Sequence, residues 1–294
     1  MTPELVVDGA NILGESVCWS MQTQEIRWID GFAPAIHHWN PATRSHAVMP
    51  LPAAPIGMIV QTSDPSVLAL TDAAGIGLFD LRTRVRTAIA DPERGRAGIG
   101  YNDAKVDAAG RLWVGTYDAS EIEPRGCLWV LAHREAPRLA DSGMAVVNGP
   151  AFSPASDRVY VSDSTAKRIL VHELHDGVLA GRRVFAQLTA EEGLPDGLTV
   201  DAEGCVWCAH WDGGRVTRFS PDGERLLLIR LPAMRVTSVA FGGASLDELF
   251  ITTARYGLTE EQLQRTPQAG GLFRVKAPVP GLAASLLPLP FECV

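Results

Sequence analysis

The stretch LPDGLTVDAEGCVW, residues 194–207, decides the fold because a second copy of its pattern lies earlier in the chain. Residues 101–113 read YNDAKVDAAGRLW, with a polar pair, an alternating apolar run, an Asp-x-x-Gly turn and a Trp in the same order. Asp201 follows Asp107 by 94 residues, and the turn glycine and the Trp of the two copies keep that interval. Half of it, about 47 residues, falls in the period range of propeller blades.

Further copies of the strand core recur along the whole chain. They are centred on Trp28, Ala69, Trp113, Tyr160, Trp207 and Phe250, at intervals of 41 to 47 residues. A second apolar strand follows each core, as in GCLWVL from Gly126, and turn residues such as Pro221-Asp222-Gly223 separate them. A solenoid of this period would need amphipathic helices, and only residues 258–265 have a helical pattern.

The sequence therefore predicts an all-β chain that folds as a six-bladed β-propeller, with four antiparallel strands per blade and residues 1–294 in one domain. Closing the ring requires the two ends of the chain to pair. We expect Leu5–Val7 to join the last blade beside the C-terminal segment Ser285–Leu289.

Composition excludes several functional classes. A formal net charge of −8 disfavours nucleic acid as a partner, because phosphate binding needs clustered Lys and Arg. The N-terminus has no basic-then-apolar signal and no run of eighteen apolar residues occurs, so we expect a cytoplasmic protein without a membrane partner. The sequence does not indicate an oligomeric state. Five cysteines at irregular spacing predict free thiols; Cys205 and Cys208 lie in one predicted strand and point to opposite faces, which favours buried thiols over a zinc or redox site.

Four polar residues lie at one blade position, 11 to 13 residues before a strand core: Glu15, Asn102, Asn148 and Asp196. In a propeller that position belongs to the start of the innermost strand, so the four side chains converge on the central channel. Two carboxylates and two carboxamides suit a divalent cation such as Ca²⁺, Mg²⁺ or Mn²⁺. The other two blades present Gly57-Met58 and Thr237-Ser238 at this position, which we expect to line the channel without binding metal.

Other polar residues fit structural roles. Asp107 and Asp201 are β-turn residues. Only one of the adjacent His37 and His38 can face inward, and a core or surface histidine is favoured over a metal ligand. Taken singly, Asn148-Gly149 and Asp196-Gly197 are also ordinary turn pairs, and their shared blade position is what favours a site.

Several ordered motifs resemble the senescence marker protein/gluconolactonase/regucalcin family: LGESVCW (13–19), YNDAKVDAAGRLWVGT (101–116), NGPAFSP (148–154) and LPDGLTVDAEGCVW (194–207), with FGG (241–243) and ITTARYGL (251–258) resembling its last blade. The NDA-VDA-GRLW pattern is similar to that of bacterial pentonolactonases such as xylono- or arabinonolactonases. The resemblance implies a six-bladed propeller that hydrolyses a sugar-acid lactone with one divalent metal ion.

Residue by residue, the resemblance implies that Glu15, Asn148 and Asp196 bind the metal and that Asn102, Tyr101 and Asp103 contact substrate. Many family members carry a substrate-binding Arg two positions before the Asn, where this chain has Gly100. Tyr101 or Arg96 then becomes the candidate replacement. If nothing compensates, Gly100→Arg is expected to lower KM.

The expected chemistry is hydrolysis of an intramolecular ester. The cation polarises the lactone carbonyl, water attacks, and Asp196 serves as general base. No G-x-S-x-G nucleophile motif occurs, which disfavours an acyl-enzyme. Ca, Zn, Mn, Mg and Fe(II) all stay open as the metal. Two alternatives remain: a calcium-binding regulator of the regucalcin type, and an arylesterase or lactonase that acts on non-sugar esters.

Overall fold

The computed structural model describes residues 1–52 and 55–294, and its strands form six four-stranded antiparallel sheets. Strand β1 (Glu4–Val7) belongs to the sixth sheet. The first sheet contains β2 (Gly14–Ser20), β3 (Glu25–Asp30), β4 (Ala35–Asn40) and β5 (Ser45–Pro50). The second contains β6 (Ile59–Gln61), β7 (Val67–Asp72), β8 (Gly75–Asp80) and β9 (Arg86–Ala90). The third contains β10 (Ile99–Val106), β11 (Leu112–Asp118), β12 (Gly126–Leu131) and β13 (Arg138–Met144).

The fourth sheet contains β14 (Val147–Phe152), β15 (Arg158–Asp163), β16 (Arg168–His175) and β17 (Val178–Gln187). The fifth contains β18 (Leu194–Val200), β19 (Val206–Trp211), β20 (Arg215–Phe219) and β21 (Arg225–Arg230). The sixth contains β22 (Arg235–Gly242), β23 (Glu248–Ala254), β24 (Leu272–Lys276) and β1. The predicted six-bladed propeller is confirmed, and every strand core found in the sequence is the second strand of its blade.

The Asp-x-x-Gly repeat has a structural role in both copies. Oδ1 of Asp201 accepts the backbone amides of Glu203 and Cys205, while Oδ2 accepts the indole N–H of Trp207 at 2.8 Å. Asp107 binds the indole of Trp113 in the same way at 2.9 Å. The carboxylate therefore ties the turn to the Trp that packs between blades, which explains why Asp, Gly and Trp keep a fixed spacing.

The core consists of apolar layers between neighbouring sheets. One layer joins the fifth and sixth blades around Trp207, which is fully buried and meets Phe241 edge-on at 5.8 Å. His37 is a core histidine stacked on Trp28 at 5.0 Å, whereas the ring of His38 lies at the surface 3.4 Å from Glu25. Both rings thus have the structural role that the sequence favours.

The ring closes through the N-terminal strand, as predicted in part. Leu5 of β1 pairs with Phe273 of β24, so Leu5–Val7 does join the last blade. The expected partnership with Ser285–Leu289 is wrong, because Leu287 instead forms a parallel bridge with Thr62 beside the second blade. Leu287 and Phe291 are buried in the apolar layer between the second and third blades. The C-terminal segment therefore crosses the propeller and stabilises blades remote from the closure.

Helix is scarce in the described part of the chain. Helix α1 (Glu260–Arg265) lies in the predicted helical segment, and one 3₁₀ turn covers Ala190–Glu192. None of the described helices is long and apolar enough to cross a membrane. Cys205 and Cys208 are buried free thiols, and burial raises the pKa of both.

Candidate functional site

The four predicted polar residues lie on the innermost strands of four blades, each at a β-bulge. The register shifts by one residue between Glu15 and Cys18 in β2, Tyr101 and Ala104 in β10, Asn148 and Ala151 in β14, and Pro195 and Leu198 in β18. A bulge bends the strand and redirects side chains. The shared blade position found in the sequence is therefore the place where each inner strand departs from regular pairing.

These bulges surround a cavity of about 310 Å³ at one mouth of the central channel. The predicted residues that line it are Glu15, Tyr101, Asn102, Asn148 and Asp196. Asp103 is 5% exposed and lies in the wall below this lining, where its carboxylate accepts the amide of Ala104 at 2.9 Å. Its contact with substrate stays a prediction.

Hydrogen bonds fix the two carboxamides. Asn102 Nδ2 donates to Asn148 Oδ1 at 2.7 Å and to the carbonyl of Val147 at 3.0 Å. Asn148 Nδ2 donates to Ser164 Oγ at 3.1 Å, and that hydroxyl donates to the carbonyl of Pro195 at 2.7 Å. Ser164 thus holds the Asn148 amide so that its oxygen, the atom able to bind a cation, faces Asn102 and the cavity.

Within the described part of the chain, the carboxylates at this mouth form no ion pair, and the positive charge of Lys105 offsets the effect of burial on Glu15 and Asp103 only in part. Burial, followed by the charge of Asp103, raises the pKa of Glu15 well above its usual value. Burial and then the charge of Glu15 do the same to the pKa of Asp196, and burial raises the pKa of Asp103 to about 6. Among the described residues, no Lys, Arg or His lies within ion-pair distance of Glu15 or Asp196.

This donor set fits a divalent metal ion. Two carboxylates and a carboxamide oxygen are ligands that hard cations prefer, and a bound cation would relieve the repulsion between the buried carboxylates. Within residues 1–52 and 55–294, no group of three His, Cys, Asp or Glu side chains could hold a metal by itself. A metal at this mouth would therefore bind the carboxamide of Asn148 together with Glu15 and Asp196.

The space beside Gly100 is occupied by an unpredicted residue. Gly100 pairs directly with Tyr117 across β10 and β11, and a Cβ atom at Gly100 would lie 2.4 Å from the Tyr117 ring. Arg96 does not fill this space, because its guanidinium binds Glu93 and, at 2.8 Å, the carbonyl of Arg125. The hydroxyl of Tyr101 donates to Asp91 at 2.7 Å while the residue lines the cavity, and its contact with substrate stays a prediction.

The structure removes the premise of the lower KM expected for Gly100→Arg, which was an open space beside position 100. Room for a side chain at position 100 is absent while the Tyr117 ring stays in place, since real Cβ atoms do not approach within 3.0 Å of other heavy atoms. Arg96, offered as the replacement for the family arginine, is engaged elsewhere. The wall here is aromatic, and Tyr117 is itself part of the cavity lining.

Sequence reasoning also missed the rest of the aromatic rim. Phe32 and Tyr256 pack against each other at 4.7 Å, and both line the cavity with Trp211. Phe32 and Tyr256 lie between the second and third strands of their blades, and Trp211 ends β19. The repeat phase could have identified most of this rim, because Phe32, Tyr117 and Trp211 each follow a Trp strand core by four residues. Large aromatic side chains that are 39% and 48% exposed at a cavity mouth are typical of a binding surface.

Fold and site together define a class: a six-bladed propeller with carboxylate and carboxamide side chains from four inner strands at one mouth of its channel. The family model described as "SMP-30/Gluconolactonase/LRE-like region" matches residues 13–255, most of the chain. The protein belongs to this family, as the sequence motifs indicate.

Three relatives illustrate the likeness. The chain is 33% identical to a 6-deoxy-6-sulfogluconolactonase of Pseudomonas putida over 287 residues, which cover 97% of this chain and 98% of that one. It is 32% identical to a pentonolactonase of Haloferax volcanii, with 96% of each chain covered. A crystal structure of a calcium-binding protein, regucalcin, from Agrobacterium tumefaciens superposes with a TM-score of 0.90 at 26% identity and covers 97% of both chains.

Proposed function

We propose that the protein hydrolyses a sugar-acid lactone of the pentono- or hexono- type to the open-chain acid, using one divalent metal ion bound by Glu15, Asn148 and Asp196. The observation that carries the proposal is the convergence of these three side chains, whose carboxylates form an ion pair with no described basic residue, on a cavity of about 310 Å³. Relatives named as lactonases over nearly the whole chain support the reaction class.

The cation, when bound, would polarise the lactone carbonyl as a Lewis acid. Calcium is one candidate, since a structural relative carries that description, and Zn, Mn, Mg and Fe(II) remain others. The choice among them depends on availability as well as on the ligands.

The chain's own residues would position the reactants and transfer the proton. Asp196 accepts a proton from the attacking water, whose oxygen adds to the lactone carbonyl carbon. The ring C–O bond then breaks and its oxygen takes up the proton, so that a hydroxy acid is formed. Asn102, whose Nδ2 already donates to Asn148 and Val147, would accept a substrate hydroxyl at its Oδ1, and the aromatic rim would exclude bulk water. At neutral pH the product acid releases one proton, which makes turnover measurable.

The test compares Asp196→Asn with Asp212→Asn, a matched variant whose carboxylate is paired with Arg235 at 2.8 Å outside the cavity lining. We expect Asp196→Asn to lose bound metal by elemental analysis and to lose at least about a hundredfold in kcat/KM for a pentonolactone, a loss in the range of removing a general base. Asp212→Asn should keep both. Full metal occupancy with near-normal turnover in Asp196→Asn would refute the assignment.

A second function deserves the same assay because a structural relative is described as calcium-binding. A calcium-binding regulator would bind Ca²⁺ at this mouth but hydrolyse no lactone. An enzyme for non-sugar esters would turn over an aryl ester faster than any pentono- or hexonolactone. Parallel measurement of calcium binding, lactone hydrolysis and aryl ester hydrolysis separates the three.

A further inference from the structure

The Gly100–Tyr117 pair determines the chemical character of one cavity wall. The two residues face each other directly across β10 and β11, and the Tyr117 ring covers the place where a side chain at position 100 would project. A Cβ atom there would lie 2.4 to 2.7 Å from three atoms of the ring and hydroxyl. Because the Tyr117 ring and a side chain at position 100 cannot occupy the same space, the glycine and the tyrosine depend on each other.

The charged residues around the cavity give the second observation about its chemical character. Its charged lining residues are all acidic: Glu15, Asp196 and the exposed Glu121. Within the described residues no Lys or Arg lines it, and both undescribed residues are alanines in sequence. A divalent metal would offset Glu15 and Asp196 but would leave Glu121 as a surplus negative charge.

Lys105 lines a second cavity and not this one, and two arginines beside this mouth are engaged in other contacts. Arg125 donates to Asp118 at 3.0 Å and to the carbonyl of Ala97 at 2.7 Å. Arg235 is bound to Asp212 at 2.8 Å and lies 4.6 Å from the centre of the Trp211 ring. To pair with a substrate anion in the cavity, either guanidinium would have to give up these contacts.

We propose that the Gly100–Tyr117 pair makes the cavity selective for uncharged lactones, and that Tyr117 is the residue which excludes lactones carrying a second anionic group such as a sulfonate, phosphate or carboxylate. This inference rests on the proposed lactonase function. Tyr117 presents an aromatic face and a hydroxyl, which suit the C–H face and hydroxyl groups of a neutral sugar ring. An anion at this wall would lose its hydration without meeting a cation.

The first test measures kcat/KM of the metal-loaded protein for uncharged and anionic lactones of the same ring. The uncharged substrate is glucono-1,5-lactone; the anionic ones are 6-phosphogluconolactone and 6-deoxy-6-sulfogluconolactone. We expect a preference of at least about 30-fold for the uncharged lactone, because like charges brought together without compensation disfavour binding strongly. Equal or faster turnover of either anionic lactone would overturn the inference while supporting the lactonase function. If no lactone were hydrolysed, both would fail.

The second test moves a positive charge into the same space. Tyr117→Lys should lower the preference for the uncharged lactone at least about tenfold, since an ammonium would then face the anionic group. The double variant Gly100→Arg with Tyr117→Ala gives the guanidinium the room that the ring occupied and should act in the same direction. Tyr117→Phe, which keeps the ring and removes only the hydroxyl, should retain the preference.

Single substitution at Gly100 is the internal control for the steric argument. Gly100→Arg alone is expected to raise KM for glucono-1,5-lactone, and adding Tyr117→Ala should reverse that rise. A folded Gly100→Arg protein, with the wild-type melting temperature and unchanged KM, would show that the ring moves aside freely. If Tyr117→Lys and the double variant, both folded, left the preference unchanged, Tyr117 would not be the determinant.

Discussion

Replacing Asp201 tests whether the repeated Asp–Trp unit stabilises the propeller. Asp201 is fully buried, and its two oxygens accept four hydrogen bonds: the amides of Glu203 and Cys205 at 3.0 Å, the indole of Trp207 at 2.8 Å and Nε of Arg218 at 2.7 Å. Asp201→Ala leaves these donors without an acceptor. A buried donor without a partner costs about 1 to 3 kcal/mol, and an uncompensated buried charge about 3 to 5 kcal/mol.

The net cost is smaller than the sum of these figures, because Arg218 keeps its bond to Glu203 at 2.7 Å and the turn residues Ala202 and Glu203 are exposed to solvent. We expect a loss of about 4 to 6 kcal/mol in unfolding free energy, a large part of the roughly 5 to 15 kcal/mol typical of a folded protein. The thermal midpoint should fall by about 10 to 15 °C, measured by circular dichroism.

Two variants complete the experiment. Glu203→Ala removes a carboxylate that is 62% exposed and should cost less than about 1 kcal/mol. Asp107→Ala removes the equivalent carboxylate of the third blade, which accepts Trp113 Nε1 at 2.9 Å and Arg111 Nε at 2.7 Å, and should match Asp201→Ala. A midpoint for Asp201→Ala within about 3 °C of wild type would refute the structural reading of the repeat, since that corresponds to only about 1 kcal/mol.

Three further predictions use other parts of the chain. Leu287→Ala leaves a cavity at a fully buried position between the second and third blades and should lower the unfolding free energy by about 3 kcal/mol in urea titration. Leu282 is 39% exposed, so Leu282→Ala should lower it by less than about 1 kcal/mol. Equal losses would contradict the packing of the C-terminal segment. Burial lowers the pKa of His210 from 6.5 to about 4, so the unfolded chain takes up the proton first as the pH falls. The stability that neutral His210 contributes is complete above pH 6.5 and is lost as the pH falls toward 4. Between pH 7 and 4.5 the unfolding free energy of His210→Gln should therefore fall by about 2.5 kcal/mol less than that of the wild type, and an unchanged pH dependence would contradict this. Ser164→Ala should weaken metal affinity about tenfold by freeing the Asn148 amide, with calorimetry as the readout and unaltered affinity as the contrary result.

The fold followed from the sequence because the repeat reflects a physical unit. Asp107 and Asp201 each accept a hydrogen bond from the indole of the Trp six residues later. The Asp–Trp spacing is therefore the same in both blades that contain this hydrogen bond. The common location of Glu15, Asn148 and Asp196 was predictable for a similar reason. Residues at the same position in successive blades of a closed propeller lie at the same mouth of its channel. Their roles as metal ligands, and that of Asp196 as general base, stay predictions.

The neighbour of Gly100 was beyond sequence reasoning. Counting outward from the turn between β10 and β11, regular pairing would place Tyr117 opposite Tyr101. The bulge between Tyr101 and Ala104 shifts the register by one residue, so that Tyr117 meets Gly100 instead. The residue types at positions 101–104 do not predict that bulge. A shift of one residue in the pairing register changes every cross-strand contact beyond it.

The C-terminal segment escaped prediction for a different reason. Residues 277–294 carry no strand period, and the position of Leu287 is determined by the space left between the second and third blades. The bridge from Leu287 to Thr62 joins residues far apart in sequence, which no local pattern encodes. Only the N-terminal half of the closure, Leu5–Val7, had a strand pattern to read.

The most direct test of the proposed function is a titration of activity against metal. Protein freed of metal with a chelator is supplied with increasing equivalents of Ca²⁺, Zn²⁺, Mn²⁺, Mg²⁺ or Fe²⁺, and hydrolysis of a pentonolactone is followed by proton release. We expect no turnover above the uncatalysed rate at zero metal, and a linear rise that ends at one equivalent for at least one cation. Full turnover by protein verified as metal-free would contradict the proposed function.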